Sequence, residues 1–414
     1  MNVVFPIPNE PDESRCRTHS LLDRHSAKLH AALDELRSIQ HGRVLDGLTV
    51  WDLSMVNPDL PPPRLVLDRL LESVTKPTNH RYAVSRGVRR LREGFAVKYS
   101  ETFGVKLDPE NQVCVCLGSK DATFHALRAL VQPGDAVIVA TPWYPAHPSA
   151  VALAGAQTVP WRLVEEPEMA AQSLTSVLDR SGARIVLLNI PSNPAGMVVS
   201  DAWWRAVGAV CARHGATIIN DFVYGEMCFS GNPAVSALCA ADVGARCVEV
   251  YSLSKAYNLP GWRVGALVGD AEIVGSVSRL KSHSDYGLFL PLQYAAAVAL
   301  TCTEDIVRPT VATYERRLKV LSSGIQRLGW SVVQPKAGAC LWAQYPEELG
   351  ARLEGAGSRS IAVARHLLAT TGVVVTPGIV FGEEFDGFIR FAAVTTEERL
   401  REVVRMLDQQ VQGA

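Results

Sequence analysis

Between about residues 80 and 300 of this 414-residue chain, short apolar runs alternate with helical stretches, and this pattern limits the possible folds most. The runs are Val113–Leu117, Ala136–Ala140, Ile185–Asn189, Thr217–Asn220, Val248–Ser252 and Arg263–Val268; the helical stretches include Gly87–Tyr99 and Ala122–Leu130. Runs so short, apolar on both faces and separated by helices, need cover on both sides, as in a mostly parallel sheet. The last third repeats the pattern on a smaller scale. Strand-like Ala339–Ala343, a helix over Ser360–Thr370, strand-like Val373–Thr376 and Phe388–Ala392, and a helix over Thr396–Val411 follow in order. Ahead of the alternation, residues 1–20 read as a loose arm, and Leu21 to Ile39 shows helical spacing that ends near Gly42. The prolines of Asn57–Pro63 exclude a helix interior and predict an extended crossing. The expected fold class is α/β. Residues 79–305 form a large domain; 1–78 supply an arm and part of a small α/β domain that 306–414 complete.

Composition removes several function classes. Lysine and arginine number 41 against 42 acidic residues, so no electrostatic footprint for nucleic acid exists. No apolar run reaches the roughly 18–20 residues of a membrane helix; Pro291–Cys302 is short and amphipathic. Met1 to Ser20 lacks the apolar centre of a signal peptide. Nine cysteines without a C-x-x-C pair argue against a disulfide frame or structural zinc, and the ten histidines lack metal-ligand spacing. A soluble, cytoplasmic protein of small-molecule chemistry is expected, with no metal, nucleic acid or membrane partner.

In open α/β sheets, ligands bind beyond the carboxyl ends of the strands. There the chain carries Gly118-Ser119-Lys120, Trp143-Tyr144, Pro191-Ser192-Asn193-Pro194, Asp221 with Tyr224, and Ser254-Lys255. This set offers phosphate donors, an aromatic face, an amide, a carboxylate, a phenol and a lysine. A sugar or nucleotide pocket can use several of them. Gly118-Ser119-Lys120 has the wrong order for a P-loop. Lys255 is harder to accommodate, because an unpaired ammonium at a buried strand end is costly, whereas a lysine consumed as an imine is not.

Ser252-Leu253-Ser254-Lys255, followed by Gly261-Trp262-Arg263-Val264-Gly265, resembles the signature of fold-type I pyridoxal-phosphate (PLP) aminotransferases. Asn189-Ile190-Pro191-Ser192-Asn193-Pro194-Ala195-Gly196 is similar to the family's asparagine turn. Tyr82 with Gly87, Leu91 and Arg92 resembles its tyrosine–glycine–leucine–arginine segment, and Phe388-Ile389-Arg390-Phe391 its C-terminal arginine strand. The matches run in family order from about Leu53 to Ala393. Leu53-Ser54-Met55, Asn57-Pro58-Asp59, Ser85-Arg86-Gly87 and Lys281 to Gln293 are most similar to the alanine (glutamate–pyruvate) branch.

The resemblance implies an amino-group transfer from an α-amino acid to a 2-oxo acid through a Schiff base on Lys255. It implies that Asp221 pairs with the cofactor's ring nitrogen, that Asn193 and Tyr224 bond the ring 3-oxygen, and that Tyr144 stacks on the ring. Ser119, Lys120, Ser252 and Arg263, with Ser254 beside them, would hold the phosphate, aided by a helix starting near Asp121. Arg390 would grip the substrate carboxylate in a bidentate fork, with Asn193 and Val56 beside it. Tyr82 would reach the neighbouring site of a homodimer. Without the resemblance, Asp221 also reads as a helix N-cap, Tyr144 as core packing, and Lys255 as a strand-end lysine.

Three positions depart from the family: Val56 for glycine, Ala195 for threonine, and Leu290 for a hydroxyl residue before Pro291. They reshape the room above the cofactor. They also motivate an alternative on the same scaffold: β- or γ-elimination and replacement, carbon–carbon bond formation or cyclisation of a sulfonium or O-acyl amino acid such as S-adenosylmethionine. A non-catalytic regulator is a further alternative, opposed by the intact Lys255. Cys114 and Cys116 read as core and His80 and His283 as structural. Arg86, Arg89, Arg90 and Arg92 read as one solvated or interface face of a helix.

Overall fold

Because alternate residues of a buried strand face opposite layers, each short apolar run of this chain feeds two cores at once. The structure, a computed structural model, describes residues 23–353 and 357–412. The expected arm over residues 1–20, with Leu21 and Leu22, lies outside the described residues. Helix α1 (Asp23–Leu45) runs past Gly42 and leads to strand β1 (Trp51–Asp52). The proline-rich crossing stays extended until α2 (Arg64–Val74), and α3 (Arg89–Phe103) follows. Then the alternation begins with β2 (Val113–Cys116), α4 (Ser119–Leu130), β3 (Ala136–Thr141) and α5 (Ala146–Leu153). It continues with β4 (Gln157–Arg162), α6 (Pro167–Ser181), β5 (Ile185–Leu188), α7 (Asp201–His214), β6 (Thr217–Asp221), β7 (Arg246–Ser252) and β8 (Gly265–Gly269).

These strands form a seven-stranded sheet in the order β2-β8-β7-β6-β5-β3-β4. It is parallel except for β8, which runs antiparallel to both neighbours. The segment 253–264 returns on the edge it left, without a crossover helix, so β8 must reverse. That return keeps Lys255 and Arg263 on one edge. The polar edge strand β4 was not legible as an apolar run; its Pro160 is tolerated because the other side is unpaired. Cys114, Cys116, Val137, Val139 and Leu187 face one core, and Val113, Val115, Ile138 and Val186 the other.

Helices α8 (Ala271–Ser284), α9 (Leu290–Ala299) and α10 (Thr303–Arg327) follow the sheet. Beyond them are β9 (Ser331–Val333), β10 (Cys340–Gln344), α11 (Glu347–Arg352), α12 (Arg359–Thr371), β11 (Val373–Val374), β12 (Thr376–Pro377), β13 (Phe388–Ala392) and α13 (Glu397–Gln412). The run Val373–Thr376 is not one strand. It changes sheets at Val375: β11 pairs with β1, and β12 joins an antiparallel sheet ordered β12-β13-β10-β9. A separate core forms here from Leu36, Leu53, Leu341, Val363, Phe391 and Leu400. Within residues 1–78, α1 and β1 pack on this second core, whereas α2 lies against α9 and puts Val66 into the first. Helix α10 joins both, with Ile306, Val307 and Tyr314 in the first core and Leu318, Leu321 and Ile325 in the second.

The arginine cluster is not one solvated face. Arg92 is buried, donating to Gly87 O and Pro109 O, while Arg86 pairs with Glu110 and Arg89 with Glu93. No helix among the described residues is long and apolar enough to cross a membrane.

Candidate active site

Strands β2, β3, β5, β6 and β7 all end on the edge where β8 begins, so their following loops share one crevice. Helix α4 starts at Ser119, earlier than the expected start near Asp121, and its first-turn N–H groups face outward from β2. Gly118 precedes it at φ +83°, where a Cβ would collide with the Arg263 guanidinium. Arg263 Nη1 donates to Ser254 Oγ at 3.4 Å and Pro260 O at 3.0 Å, and Ser252 Oγ to Ser254 Oγ at 2.9 Å. Helix N-terminus, hydroxyls and guanidinium together form an anion cradle. Lys120 is exposed, its ammonium 5.9 Å from the centre of the Tyr144 ring.

Asp221 closes β6 and is buried. Its Oδ2 lies 3.1 Å from His147 Nε2, and its Oδ1 is buried without a hydrogen-bond partner. Asn189 Nδ2 donates to Asp221 O at 2.7 Å, and Asn189 Oδ1 accepts from Asn193 N at 2.8 Å, tying two loops together. Asn193 Oδ1 accepts from Arg390 Nη1 at 3.0 Å. Tyr224 is buried, and burial pushes its phenol well above the ordinary range.

Lys255 Nζ donates to Val56 O at 2.5 Å, a partner 199 residues away. Burial, reinforced by the Arg390 charge, holds this ammonium down at about 8. Arg390, on β13, donates to Ser54 O and, at 3.0 Å, to Thr376 Oγ1; its guanidinium lies 5.0 Å over the Phe381 ring. The backbone from Ser54 to Val56 therefore meets both cations. The Val56 side chain is buried with the first core.

Hydrogen bonds link Lys255 to Val56 and Arg390 to Ser54 and Asn193, the Ser54–Val56 backbone joining the two, and Asn189 ties Asn193 to Asp221. A second group contains Ser252, Ser254, Arg263 and the start of α4 at Ser119. Tyr144 packs edge-on against His147 at 5.4 Å and so adjoins Asp221. Tyr82 stands apart, 89% exposed against Tyr286, beside an open cavity of about 500 Å³ lined also by His80, Arg81 and Phe289. Ala195 packs beside Trp342 and Phe381, and Leu290 begins α9.

His147 escaped the sequence reading. Its signal was position: three residues after Tyr144, in the first turn of the helix that follows β3. Asn189, quoted as the first residue of the asparagine turn, had no role assigned because its amide serves backbone groups rather than a ligand. Asp121, His125 and Asp285 also cluster closely enough to hold a cation. The Lys281 ammonium already fills that role, donating to Asp121 at 3.0 Å and to Asp285. Burial raises the Asp121 carboxyl, yet His125 and Lys281 hold it down to about 2.

The crevice fits PLP group by group. Asp221 Oδ1 is an orphaned buried acceptor of the kind a protonated ring nitrogen satisfies, and the Gly118–Arg263 cradle lacks the side-chain volume that would exclude a phosphate. Lys255 is the nearby amine.

A family model described as aminotransferase class I and II matches residues 49–407. The chain is 34% identical over 360 residues to glutamate-pyruvate aminotransferase AlaC of Escherichia coli K12, covering 87% of this chain and 86% of that protein. It is also 34% identical over 362 residues to an LL-diaminopimelate aminotransferase of Dehalococcoides mccartyi, covering 87% and 91%. Among solved structures, substrate-bound BacF from Bacillus subtilis superposes with a TM-score of 0.83 at 30% identity, covering 92% of this chain and 95% of that one. Both named activities are amino transfers, so the elimination, replacement and cyclisation alternative is not favoured. The chain belongs to the class I and II aminotransferases, PLP-dependent enzymes of fold type I that move an amino group between an α-amino acid and a 2-oxo acid.

Proposed function

We propose that this aminotransferase works through Lys255 as the covalent anchor and proton carrier, opposed by Asp221 at the far edge of the cofactor. The unpartnered, buried Oδ1 of Asp221, on the same sheet edge as Lys255, carries this reading. When bound, PLP supplies an electrophilic aldehyde and an electron-withdrawing ring. Asp221 keeps the ring nitrogen protonated, and His147 steadies the carboxylate from its other oxygen. Ser119, Ser252, Ser254 and Arg263 hold the phosphate with the amino end of α4, including the Lys120 N–H. Asn193 and Tyr224 would hydrogen-bond the ring 3-oxygen, and Tyr144 would stack on the ring.

Lys255 Nζ is free to leave the Val56 carbonyl and to take a proton from the substrate's Cα and return it, because burial favours the neutral amine. Arg390 receives the α-carboxylate; Asn193 Oδ1, Ser54 O and Thr376 Oγ1 fix the plane of its fork. Val56 contributes its carbonyl, which Lys255 contacts, while its side chain packs into the first core. Arg390→Lys is expected to raise the KM for the amino donor by about 10–100-fold, since one charged hydrogen bond of about 1.5–3 kcal/mol is lost. Steady-state kinetics with both substrates checks this; an unaltered KM would remove Arg390 from the carboxylate site.

The working unit is a homodimer in which Tyr82 serves the partner's phosphate site. Support comes from Tyr82 and Phe289, exposed apolar side chains that line one cavity, with exposed Tyr286 packed edge-on against Tyr82. Sedimentation at working concentration should give twice the chain mass, and Tyr82→Ala should weaken PLP retention. A fully active monomer would contradict the assignment.

A further inference from the structure

The middle of the seven-stranded sheet contains two polar side chains with no exposure at all, Asn220 on β6 and Glu249 on β7. They are direct neighbours in the parallel register, on the face that packs toward Tyr99 and α3. Buried strand positions between helical layers ordinarily hold apolar residues, and a carboxylate there is costly unless every lone pair is occupied. Glu249 meets that condition. Its Oε1 accepts from Asn220 Nδ2 at 3.0 Å and Ala237 N at 2.7 Å, and its Oε2 from Ser236 Oγ at 2.7 Å and Tyr99 OH at 3.1 Å.

Asn220 uses the rest of its amide on a single residue. Its Nδ2 donates to Ile190 O at 2.9 Å, and its Oδ1 accepts from Ile190 N at 3.0 Å. Ile190 lies beyond the end of β5, where the β5–β6 ladder has stopped at Leu188 and Asn220. The side chain thus continues the ladder by one step. The next residues need such help, because Pro191 and Pro194 have no N–H to donate. Immediately alongside, Asn189 makes the reciprocal clamp to Asp221 O and Asn193 N.

We propose that Glu249 and Asn220 are a positioning pair for the cofactor's ring edge: the carboxylate fixes the amide's orientation, and the amide locks the Asn193 turn in register with Asp221. Rotating the amide by half a turn would set its oxygen against both the Glu249 carboxylate and the Ile190 carbonyl, so the carboxylate specifies one orientation. The inference rests on the reading of Asp221 and Asn193 as cofactor-holding groups and adds the groups that place them. Nothing in the pair touches the reacting atoms. Burial pushes the Glu249 carboxyl up to about 7 against its four donors, and either protonation state keeps an acceptor toward Asn220.

The test is the PLP dissociation constant of the full-length enzyme, measured beside the melting temperature of the cofactor-free chain. Glu249→Met and Asn220→Ser should each raise the dissociation constant about tenfold. Glu249→Gln should stay within about twofold of the parent, because its amide oxygen still accepts from Asn220 and Ala237 while its amide N–H donates to Tyr99 or Ser236. Variants that melt earlier yet hold PLP as tightly as the parent would overturn the proposal, as would a glutamine variant that loses as much as the methionine one. If Glu249→Met does not fold, Asn220→Ser decides, since it leaves three of the four Glu249 bonds in place. Asp221→Asn, run in parallel, separates the two levels. A change there with none at Asn220 or Glu249 rejects the pair alone; no change at any of them rejects the Asp221 reading as well.

Discussion

Replacing Lys255 with alanine is expected to lower turnover by about four orders of magnitude, the upper range of what a positioned proton carrier contributes, with the fold unchanged. The effect is large because one nitrogen has two tasks. It anchors the cofactor through a covalent bond, and once displaced by the substrate amine it carries the proton at Cα. Burial already holds Lys255 at about 8, so near neutrality a useful fraction of the side chain is the nucleophilic free amine. Uptake of PLP should accordingly quicken as pH rises toward 8. Stability should not suffer, since the amine makes one hydrogen bond, to Val56 O, and its removal relieves a desolvation cost. Single-turnover kinetics and thermal melting check both halves. An alanine variant with more than about a hundredth of parent activity would deny Lys255 the proton-carrying role.

Asp221→Asn is expected to cost about 10²–10³ in kcat, comparable to losing one preorganised electrostatic contact at a reacting centre. The amide is nearly isosteric and leaves the backbone bond from Asn189 Nδ2 untouched, so the loss reports charge rather than shape. Without the carboxylate, nothing would keep the cofactor's ring nitrogen protonated, and the electron-withdrawing chemistry PLP would supply would be weakened. The His147 contact at 3.1 Å should persist through the amide oxygen. Retention of more than about a tenth of parent kcat would exclude the pairing.

Much of this arrangement was legible in the chain. Dense runs such as Ile185–Leu188 and Val248–Ser252 announce buried strands because both faces need apolar side chains, and the residues after them must then lie at the sheet's edge. Segments whose stability comes from their neighbours were illegible. Strand β4 is polar and exists by pairing with β3. The run Val373–Thr376 divides between sheets because Val373 pairs with Trp51 of β1 and Thr376 with Arg390 of β13, partners far away in sequence that no local pattern records. Arg92 looked solvated from its arginine neighbours, yet its donors are used by Gly87 and Pro109 carbonyls. The roles of His147, Asn189 and Glu249 were missed for a shared reason: each acts on another protein group, so its chemistry emerges only once β5, β6 and β7 lie side by side.

The most direct test of the covalent anchor is chemical. Holoenzyme treated with borohydride, digested and sequenced by mass spectrometry should carry the reduced cofactor on the peptide containing Lys255, at close to one per chain. Cofactor found on Lys120 or on any other lysine, or released intact after reduction, would contradict it.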